Sequence, residues 1–302
     1  MKEIIKYIQD ENLGTFKENV SFKMLTTYRA GGEARLVYFP DRIDSLIKFL
    51  KKCKELNIDF KVFGNGSNIL ASDDEFYGVI IKLTKLDNYV LDEKTNVLTV
   101  DAGYNLMKLA NDLSKKGYSG LEFACGIPGT VGGALYMNAG AYLKAMSDIV
   151  IDATLLDQDD KVVTLTKEEL DFSYRKSILQ VKPYICLRVR MQLEKKDLGS
   201  ILSLINDRLH RRIETQPLDF PSAGSIFRNP LDDYAGRLIE ECDLKGKMYG
   251  GAEISEKHAN FIINKNNAQA SDIKYLMDLV QKEVYDKFKI KLHREQELFN
   301  FK

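Results

Sequence analysis

One glycine-rich segment decides the fold of this chain: Gly126-Ile127-Pro128-Gly129-Thr130-Val131-Gly132-Gly133-Ala134, followed by Met137-Asn138-Ala139-Gly140-Ala141-Tyr142. Glycine has no Cβ, so it lets a phosphate come close to the backbone and lets successive N–H groups turn toward an anion. The segment therefore predicts a loop that holds an anionic ligand. An ordinary tight turn is the alternative, and the segment alone leaves both interpretations open.

Two more glycine-rich segments precede it, Tyr28-Arg29-Ala30-Gly31-Gly32 and Gly64-Asn65-Gly66-Ser67-Asn68. The second follows an apolar run at 60–63 that predicts a strand, a position where loops commonly bind phosphate. It is not the dinucleotide-binding pattern G-x-G-x-x-G, which would need glycine at Ile69, and the chain has no Walker lysine motif. Three such segments in one chain favour an extended diphosphate ligand over three unrelated turns.

The chain divides into three stretches, of which the first is 1–83. Apolar residues recur at helical spacing over 43–56, which predicts a helix with one buried face that includes Cys53. Strands are predicted at 60–63 and 78–83. These lengths predict a small α+β or α/β unit.

The second stretch, 84–192, predicts an α+β domain with mostly antiparallel strands, because turn-like residues separate its apolar runs. Its predicted elements are a hairpin of 89–91 with 97–100, a helix from Leu106 that Gly117 ends, a hairpin of 150–156 with 161–165, and a strand over 184–193. The third stretch, 193–302, is more helical. Its predicted elements are a helix with an apolar stripe over 201–213, a loop over 216–230, a short helix with Leu238 and Ile239, a helix capped by Ser271, and a closing strand over 292–299.

Composition excludes several classes of protein. Lysines and arginines number 44, as do aspartates and glutamates, so no bulk positive charge is available to bind nucleic acid. No apolar run approaches the roughly 18 residues of a membrane span, and the N-terminus lacks the pattern of a signal peptide. The cysteines and histidines are scattered, so we expect no metal site and a cytoplasmic protein.

Two arginine-containing segments are candidate anion-binding groups. The stretch 172–177 places Arg175 among aromatic and hydroxyl side chains, and arginine binds carboxylate or phosphate through parallel N–H groups. Arg208, Arg211 and Arg212 are spaced to share one helix face. A solvated loop and a solvated helix face are the alternatives.

The stretch 221–230 places Ser225 directly after Gly224 and near Arg228. It lacks the G-x-S-x-G pattern and the strand–turn–helix context of a serine hydrolase. Standing alone, it predicts only a serine in a turn.

Together these segments resemble the UDP-N-acetylenolpyruvoylglucosamine reductases, flavoenzymes of bacterial peptidoglycan synthesis. The runs G-I-P-G-T-V-G-G-A with M-N-A-G-A-Y, and A-G-S-I-F-R-N-P, are the most specific parts of the resemblance. The matching segments span residues 26 to 295 and are 26–32, 64–68, 126–134 with 137–142, 172–177, 223–230 and 250–264.

The resemblance implies an α+β protein with a vanillyl-alcohol-oxidase-like FAD-binding fold of two domains and a C-terminal substrate-binding α+β domain. The FAD-binding domains would be 1–83 and 84–192, and the substrate-binding domain 193–302. Whether the last strand, near 292–299, returns to the second domain stays open. FAD would be bound noncovalently, NADPH would reduce it and leave, and the UDP-sugar enolpyruvyl ether would take the same cleft. The implied product is UDP-N-acetylmuramate, and no metal, nucleic-acid, membrane or protein partner is expected.

The resemblance also assigns residues to roles. Those implied in FAD binding are Tyr28, Arg29, Gly31, Gly64, Asn65, Gly66, Ser67, Asn68, Gly126, Ile127, Pro128, Gly129, Thr130, Gly132, Gly133 and Ala134. Those implied in substrate binding are Tyr174, Arg212 and Asn229. Ser225 is implied as the proton donor to C2 of the enolpyruvyl group, after a hydride has been added to C3. Arg175 and Glu295 are implied to polarise the carboxylate and to stabilise the enol.

Two features depart from the family pattern. The family's C-terminal glutamate is usually followed by isoleucine and glycine, whereas this chain reads Arg294-Glu295-Gln296-Glu297, so Glu297 is an alternative to Glu295. The stretch 177–184 is short, which resembles the branch that lacks an extra substrate-covering segment.

Two other functions stay open. One is a different flavin oxidase of the same fold, against which the A-G-S-I-F-R-N-P run argues. The other is a noncatalytic nucleotide-binding protein, which would not need Ser225, Arg175 and Glu295 together.

Overall fold

The structure, a computed structural model, describes all 302 residues and divides into two compact units. The first unit consists of 1–18, 36–64 and 78–210, and the second of 19–35, 65–77 and 211–302. Each unit is therefore assembled from segments that are distant in the sequence. The division into 1–83, 84–192 and 193–302 stays a prediction.

The helices expected from the apolar spacing are present, together with two that were not expected. The α-helices are α1 Lys2–Asp10, α2 Ile43–Glu55, α3 Leu106–Lys115, α4 Val131–Tyr136, α5 Leu198–Thr215, α6 Ala235–Glu240 and α7 Ala270–Phe288. The strands are β1 Gly14–Ser21, β2 Glu33–Pro40, β3 Phe60–Phe63, β4 Ile69–Ala71, β5 Phe76–Lys82, β6 Tyr89–Asp92, β7 Val97–Asp101, β8 Tyr118–Ser119, β9 Gly140–Ala141, β10 Lys144–Ala145, β11 Val150–Leu156, β12 Val162–Thr166, β13 Ile185–Gln192, β14 Glu194–Lys195, β15 Met248–Tyr249, β16 Ala252–Ile254, β17 Ile262–Asn264 and β18 Glu297–Phe299. No helix combines the length and the apolar composition that a bilayer span requires.

Local hydrogen bonds explain where α3 begins and ends. The Asn105 side chain accepts the N–H of Lys108 at 2.9 Å, which satisfies a donor that the first turn leaves unpaired. Gly117 follows the helix with φ +77°, a conformation that glycine adopts without steric cost. Gly117 therefore ends α3, as the sequence predicts.

The predicted N-cap of α7 is wrong. Ser271 lies inside the helix, which begins at Ala270 after the N-cap residue Gln269. The Asp73 carboxylate accepts the N–H of Ala270 at 2.8 Å and that of Ser271 at 2.9 Å. Because an acceptor from a distant loop satisfies these first donors, the helix does not need a serine cap of its own.

The first unit contains a five-stranded antiparallel sheet in the order β12-β11-β13-β7-β6, which confirms the two predicted hairpins. Strand β13 lies between β11 and β7. β3 and β5 are neighbouring parallel strands of a four-stranded sheet in the order β1-β2-β5-β3, and Phe63 is opposite Lys82. Helix α2 buries the face that was predicted, and burial raises the pKa of Cys53 to about 12.

The second unit has its own core around α7. One face of α7 has no exposed surface and packs with the three-stranded sheet β15-β16-β17; it consists of Ile273, Leu276, Met277, Val280 and Val284. The predicted last strand is shorter than expected, because only β18 is extended. It pairs in parallel with β4, within the first of the three stretches, and not with a strand of 84–192.

Candidate active site

The structure distributes the predicted site residues over both units. In the first unit lie Gly64, Gly126, Ile127, Pro128, Gly129, Thr130, Gly132, Gly133, Ala134, Tyr174 and Arg175. In the second unit lie Tyr28, Arg29, Gly31, Asn65, Gly66, Ser67, Asn68, Arg212, Ser225, Asn229 and Glu295.

In the first unit, the end of β3 meets the glycine-rich segment 126–134. A Cβ on Gly64 would stand 2.8 Å from Thr130 Oγ1, so this approach requires glycine unless Thr130 moves. The Thr130 hydroxyl also accepts the N–H of Gly133 at 3.3 Å and so caps α4. A Cβ on Gly129 would have no neighbour nearer than 4.0 Å. Glycine at 129 thus leaves space that the protein itself does not fill.

Lys82 lies beside this loop and was not predicted as a site residue. Its Nζ donates a hydrogen bond of 2.6 Å to the carbonyl oxygen of Gly64. It is the only lysine or arginine among the buried residues. Burial lowers the pKa of Lys82 to about 8, because a charged ammonium is poorly solvated there.

Arg175 occupies a turn with unusual backbone geometry. Its φ is +57°, a region that residues other than glycine adopt at a cost. Ser173 and Lys176 pair across the turn. The Arg175 guanidinium donates to the Gly140 carbonyl at 2.7 Å and lies 5.2 Å from the centre of the Tyr174 ring. The side chain is thus held in a defined direction.

Two amide side chains that were not predicted hold this turn in place. Asn138, which is buried, donates to the Ser173 carbonyl at 2.9 Å and accepts the N–H of Ser147 at 3.0 Å. Gln180 donates to the carbonyl of Arg175 itself at 3.0 Å. Asn138 lies within the segment 137–142 and Gln180 lies close to 172–177, both of which the sequence analysis names. The hydrogen bonds that these side chains make to the turn could not be inferred from the sequence.

In the second unit, packing against the protein itself accounts for two of the predicted glycines. A Cβ on Gly66 would stand 2.2 Å from the Leu25 carbonyl oxygen, and φ is +65°. A Cβ on Gly31 would stand 2.8 Å from the Ala71 carbonyl oxygen. For these two glycines a tight-turn role is sufficient.

Tyr28 belongs to the core of the second unit. Its side chain has no exposed surface, and its hydroxyl donates to Gln296 Oε1 at 2.8 Å. Burial raises the pKa of the Tyr28 phenol, so it remains protonated. Its side chain therefore packs within the protein, and the role in FAD binding that the resemblance implies for this residue stays a prediction.

The loop that carries Ser225 is fixed on both sides. Gln296 donates to the carbonyls of Ala223 and Gly224, each at 3.0 Å. On the other side, Ile226 donates to the Asn260 carbonyl at 3.0 Å. The Ser225 hydroxyl itself makes no hydrogen bond within the protein and is only partly buried. The fold thus presents a hydroxyl whose backbone is fixed and whose own hydrogen-bonding capacity is unused.

The C-terminal glutamate lies next to this loop. The Glu295 N–H donates to the Ile226 carbonyl at 2.7 Å, directly beyond Ser225, and its own carbonyl accepts Asn68 Nδ2 at 3.0 Å. Glu297 begins β18, and its Cα is opposite Ile69. The backbone of Glu295 is thus bonded to the residue that follows Ser225, whereas the Glu297 N–H donates to the Asn68 carbonyl; the choice of Glu295 as the catalytic glutamate stays a prediction.

The remaining predicted residues have different surroundings. Arg208 lies 4.9 Å from the centre of the Tyr142 ring, Arg211 is exposed, and Arg212 is half-buried. The Asn229 side-chain oxygen accepts the N–H of Ala235 at 3.1 Å, so this oxygen supports the start of α6. The three arginines thus differ in exposure, and the Asn229 side-chain oxygen has a local structural role.

Two family models match the chain. The model described as the UDP-N-acetylenolpyruvoylglucosamine reductase C-terminal domain matches 216–299, and the FAD binding domain model matches 34–166. These ranges contain Ser225, Glu295 and the segment 126–134.

Curated relatives match over nearly the whole length. The chain is 46% identical to UDP-N-acetylenolpyruvoylglucosamine reductase of Anoxybacillus flavithermus, over 99% of both chains. It is 43% identical to that of Bacillus subtilis, over 99% of this chain and 98% of the relative.

Among solved structures, the chain is similar to UDP-N-acetylenolpyruvylglucosamine reductase from Thermus caldophilus, with a TM-score of 0.81 at 33% identity. That match covers 94% of this chain and 100% of the other. A berberine bridge enzyme variant matches with a TM-score of 0.50 at 14% identity, over 65% of this chain and 44% of the other, which shows a similar fold only.

Proposed function

The chain belongs to the UDP-N-acetylenolpyruvoylglucosamine reductase family, and we propose how its residues perform the reaction of that family. It is an FAD-dependent oxidoreductase that uses NADPH to reduce UDP-N-acetylglucosamine enolpyruvate to UDP-N-acetylmuramate, a step of peptidoglycan precursor synthesis. The observation that carries our assignment of the site is the Ser225 hydroxyl, which has a fixed backbone and no hydrogen-bond partner in the protein.

An anaerobic assay tests the reaction. NADPH should bleach the yellow protein, and UDP-N-acetylglucosamine enolpyruvate should then restore the colour much faster than buffer alone. A different flavin oxidase of the same fold would not respond to this substrate. A noncatalytic nucleotide-binding protein would not bleach.

The residues of the first unit fit an FAD cofactor. A Cβ on Gly129 would have no protein atom nearer than 4.0 Å, and the buried Lys82 provides a positive charge near the loop. We therefore assign 64–68 and 126–134 to FAD, with the diphosphate at the first loop. When bound, FAD supplies the hydride that it has received from NADPH.

Gly129 provides a test of this assignment. Gly129→Val should remove most of the bound FAD but leave the apoprotein stable, because a Cβ there would have no protein atom nearer than 4.0 Å and would occupy the proposed ligand space. Flavin content per protein and the melting temperature of the apoprotein are the two measurements.

Gly132→Val is the matched control, because a Cβ there would stand 2.9 Å from the Ala102 Cβ. This variant should lower the melting temperature of the apoprotein, as expected for an overpacked core. Full FAD occupancy in Gly129→Val would place the cofactor away from this loop.

Ser225 is the proposed proton donor to C2 of the enolpyruvyl group. Hydride addition at C3 leaves negative charge that spreads onto the carboxylate, and protonation of C2 completes the reduction. A hydroxyl that has no partner in the protein can take a position beside C2 when substrate binds. Glu295 lies next to Ser225 in the same unit, where we propose that it helps to stabilise the enol.

Arg175 is the proposed electrostatic partner of the substrate carboxylate. A guanidinium that is already oriented stabilises charge that grows during the reaction, without having to reorganise at that moment. Two hydrogen bonds provide this orientation: the guanidinium donates to the Gly140 carbonyl, and the Gln180 side chain donates to the Arg175 carbonyl. Tyr174 and Asn229 stay proposed as contacts of the sugar nucleotide.

Arg212 is proposed to bind the sugar nucleotide, and Arg212→Ala tests this. The dissociation constant for the substrate should rise about tenfold or more, since a charge-assisted hydrogen bond contributes roughly 1.5–3 kcal/mol. The rate of flavin reduction by NADPH should stay near that of the wild type. Arg211→Ala, at the exposed neighbouring position, is the control and should change neither quantity. Equal effects of the two variants would show that Arg212 belongs to a solvated helix face and does not bind the substrate.

We propose that the protein acts on this UDP-sugar enolpyruvyl ether in the cytoplasm, with no nucleic-acid, membrane or protein partner. The four cysteines support this location, because none of them forms a disulfide. Free thiols are typical of a reducing compartment.

A further inference from the structure

Lys82 has a position that its own strand does not explain. It ends β5, where the preceding residues Val79, Ile80 and Ile81 are completely buried. Its Nζ makes one hydrogen bond, to the Gly64 carbonyl, and no carboxylate lies within ion-pair distance. A buried charge without an ionic partner destabilises a fold, and an apolar side chain of similar length would avoid that cost.

The hydrogen bond sets the direction of a peptide group in the loop. In a planar trans peptide the carbonyl and the next N–H point in opposite directions. By holding the Gly64 carbonyl, Lys82 turns the following N–H, that of Asn65, to the opposite side. Glycine-rich loops bind phosphate through N–H groups that are turned in this way.

The charge of Lys82 is present near neutral pH. Because burial lowers its pKa only to about 8, most molecules carry the ammonium at pH 7. Within the protein this charge has only the carbonyl dipole as a partner. A negatively charged ligand at the loop would supply the missing counter-charge.

We propose that Lys82 positions the diphosphate of FAD: its ammonium fixes the Gly64 carbonyl and provides the positive charge that the diphosphate balances. This inference rests on the proposed placement of FAD at 64–68 and 126–134. Lys82 is then a positioning residue. Its charge has a counter-charge when FAD is bound and none in the apoprotein.

Titration of the apoprotein with FAD, followed by flavin fluorescence, tests the inference. Lys82→Met should weaken FAD binding at least about tenfold, because both the charge and the loop hydrogen bond are lost. Lys85→Met is the matched control, since it removes the same charge from an exposed position three residues later. Its dissociation constant should stay within about twofold of the wild type.

The melting temperature of the apoprotein separates a cofactor role from a structural one. If Lys82 serves the cofactor, Lys82→Met should melt at the same temperature as the wild type or higher, because an unpaired buried charge has been removed. Near-wild-type FAD affinity would overturn the inference, as would a loss of affinity that is accompanied by a lower melting temperature. Gly129→Val tests the placement of the cofactor separately, so a failure there is distinguishable from a failure at Lys82.

Discussion

Replacing Ser225 with alanine should slow the reoxidation of reduced flavin by the enolpyruvyl substrate at least about 100-fold, the lower end of what a positioned general acid contributes. Reduction of the flavin by NADPH should stay near the wild-type rate, because hydride transfer between the two cofactors requires no proton at C2. Anaerobic stopped-flow absorbance measures the two half-reactions separately. Ser225→Cys, which keeps a transferable proton, should recover part of the loss.

Ser222→Ala is the matched control for this experiment, because it removes a hydroxyl from the same loop three residues earlier. It should leave both half-reactions unchanged. If Ser225→Ala slowed both half-reactions equally, the serine would shape the flavin site and would not be the proton donor. If it slowed neither, the proposed role would be wrong for this chain.

Replacing Arg175 with glutamine should lower the limiting rate of flavin reoxidation by roughly 10²–10³, the loss expected when one preorganised group that stabilises transition-state charge is removed. Glutamine must adopt the same positive φ as arginine, so the backbone strain of the turn is unchanged. Arg175→Lys keeps the charge but loses the fork of N–H donors, and its rate should be intermediate.

Substrate saturation curves distinguish the two ways in which Arg175 could act. A lower limiting rate shows stabilisation of the transition state, whereas a raised dissociation constant at an unchanged limiting rate shows binding of the ground state only. The second result would contradict the proposed role. Lys176→Gln, which removes the neighbouring exposed charge, is the control and should behave as the wild type.

The elements that the sequence predicted well are those with a strong local period. Helix α2 and the hairpin β6–β7 follow from the spacing of apolar residues, and their burial matches that spacing. Helix α4 was missed, because two glycines lower the helix propensity of the segment. Tertiary contacts override that propensity: Thr130 caps the helix, and Val131 and Leu135 are buried.

The glycine-rich segments show the same limit within the site. In the sequence, Gly66 and Gly129 have equal standing as cofactor-binding residues. In the structure, the Leu25 carbonyl oxygen lies 2.2 Å from the Cβ position of Gly66 and requires glycine there, whereas the nearest protein atom to the Cβ position of Gly129 is 4.0 Å away. Only the folded neighbourhood separates a glycine that the protein needs for packing from one that leaves room for a ligand.

The sequence by itself determined the family, the candidate catalytic residues and the main helices and strands, because these depend on residue identity and on spacing within one segment. The tertiary structure decided which distant segments share a unit, that the Glu295 N–H donates to the Ile226 carbonyl, and where Lys82 is buried. The hydrogen bond from Tyr28 to Gln296 joins residues 268 positions apart. No local period encodes such a contact, because its free energy depends on the whole chain having folded around it.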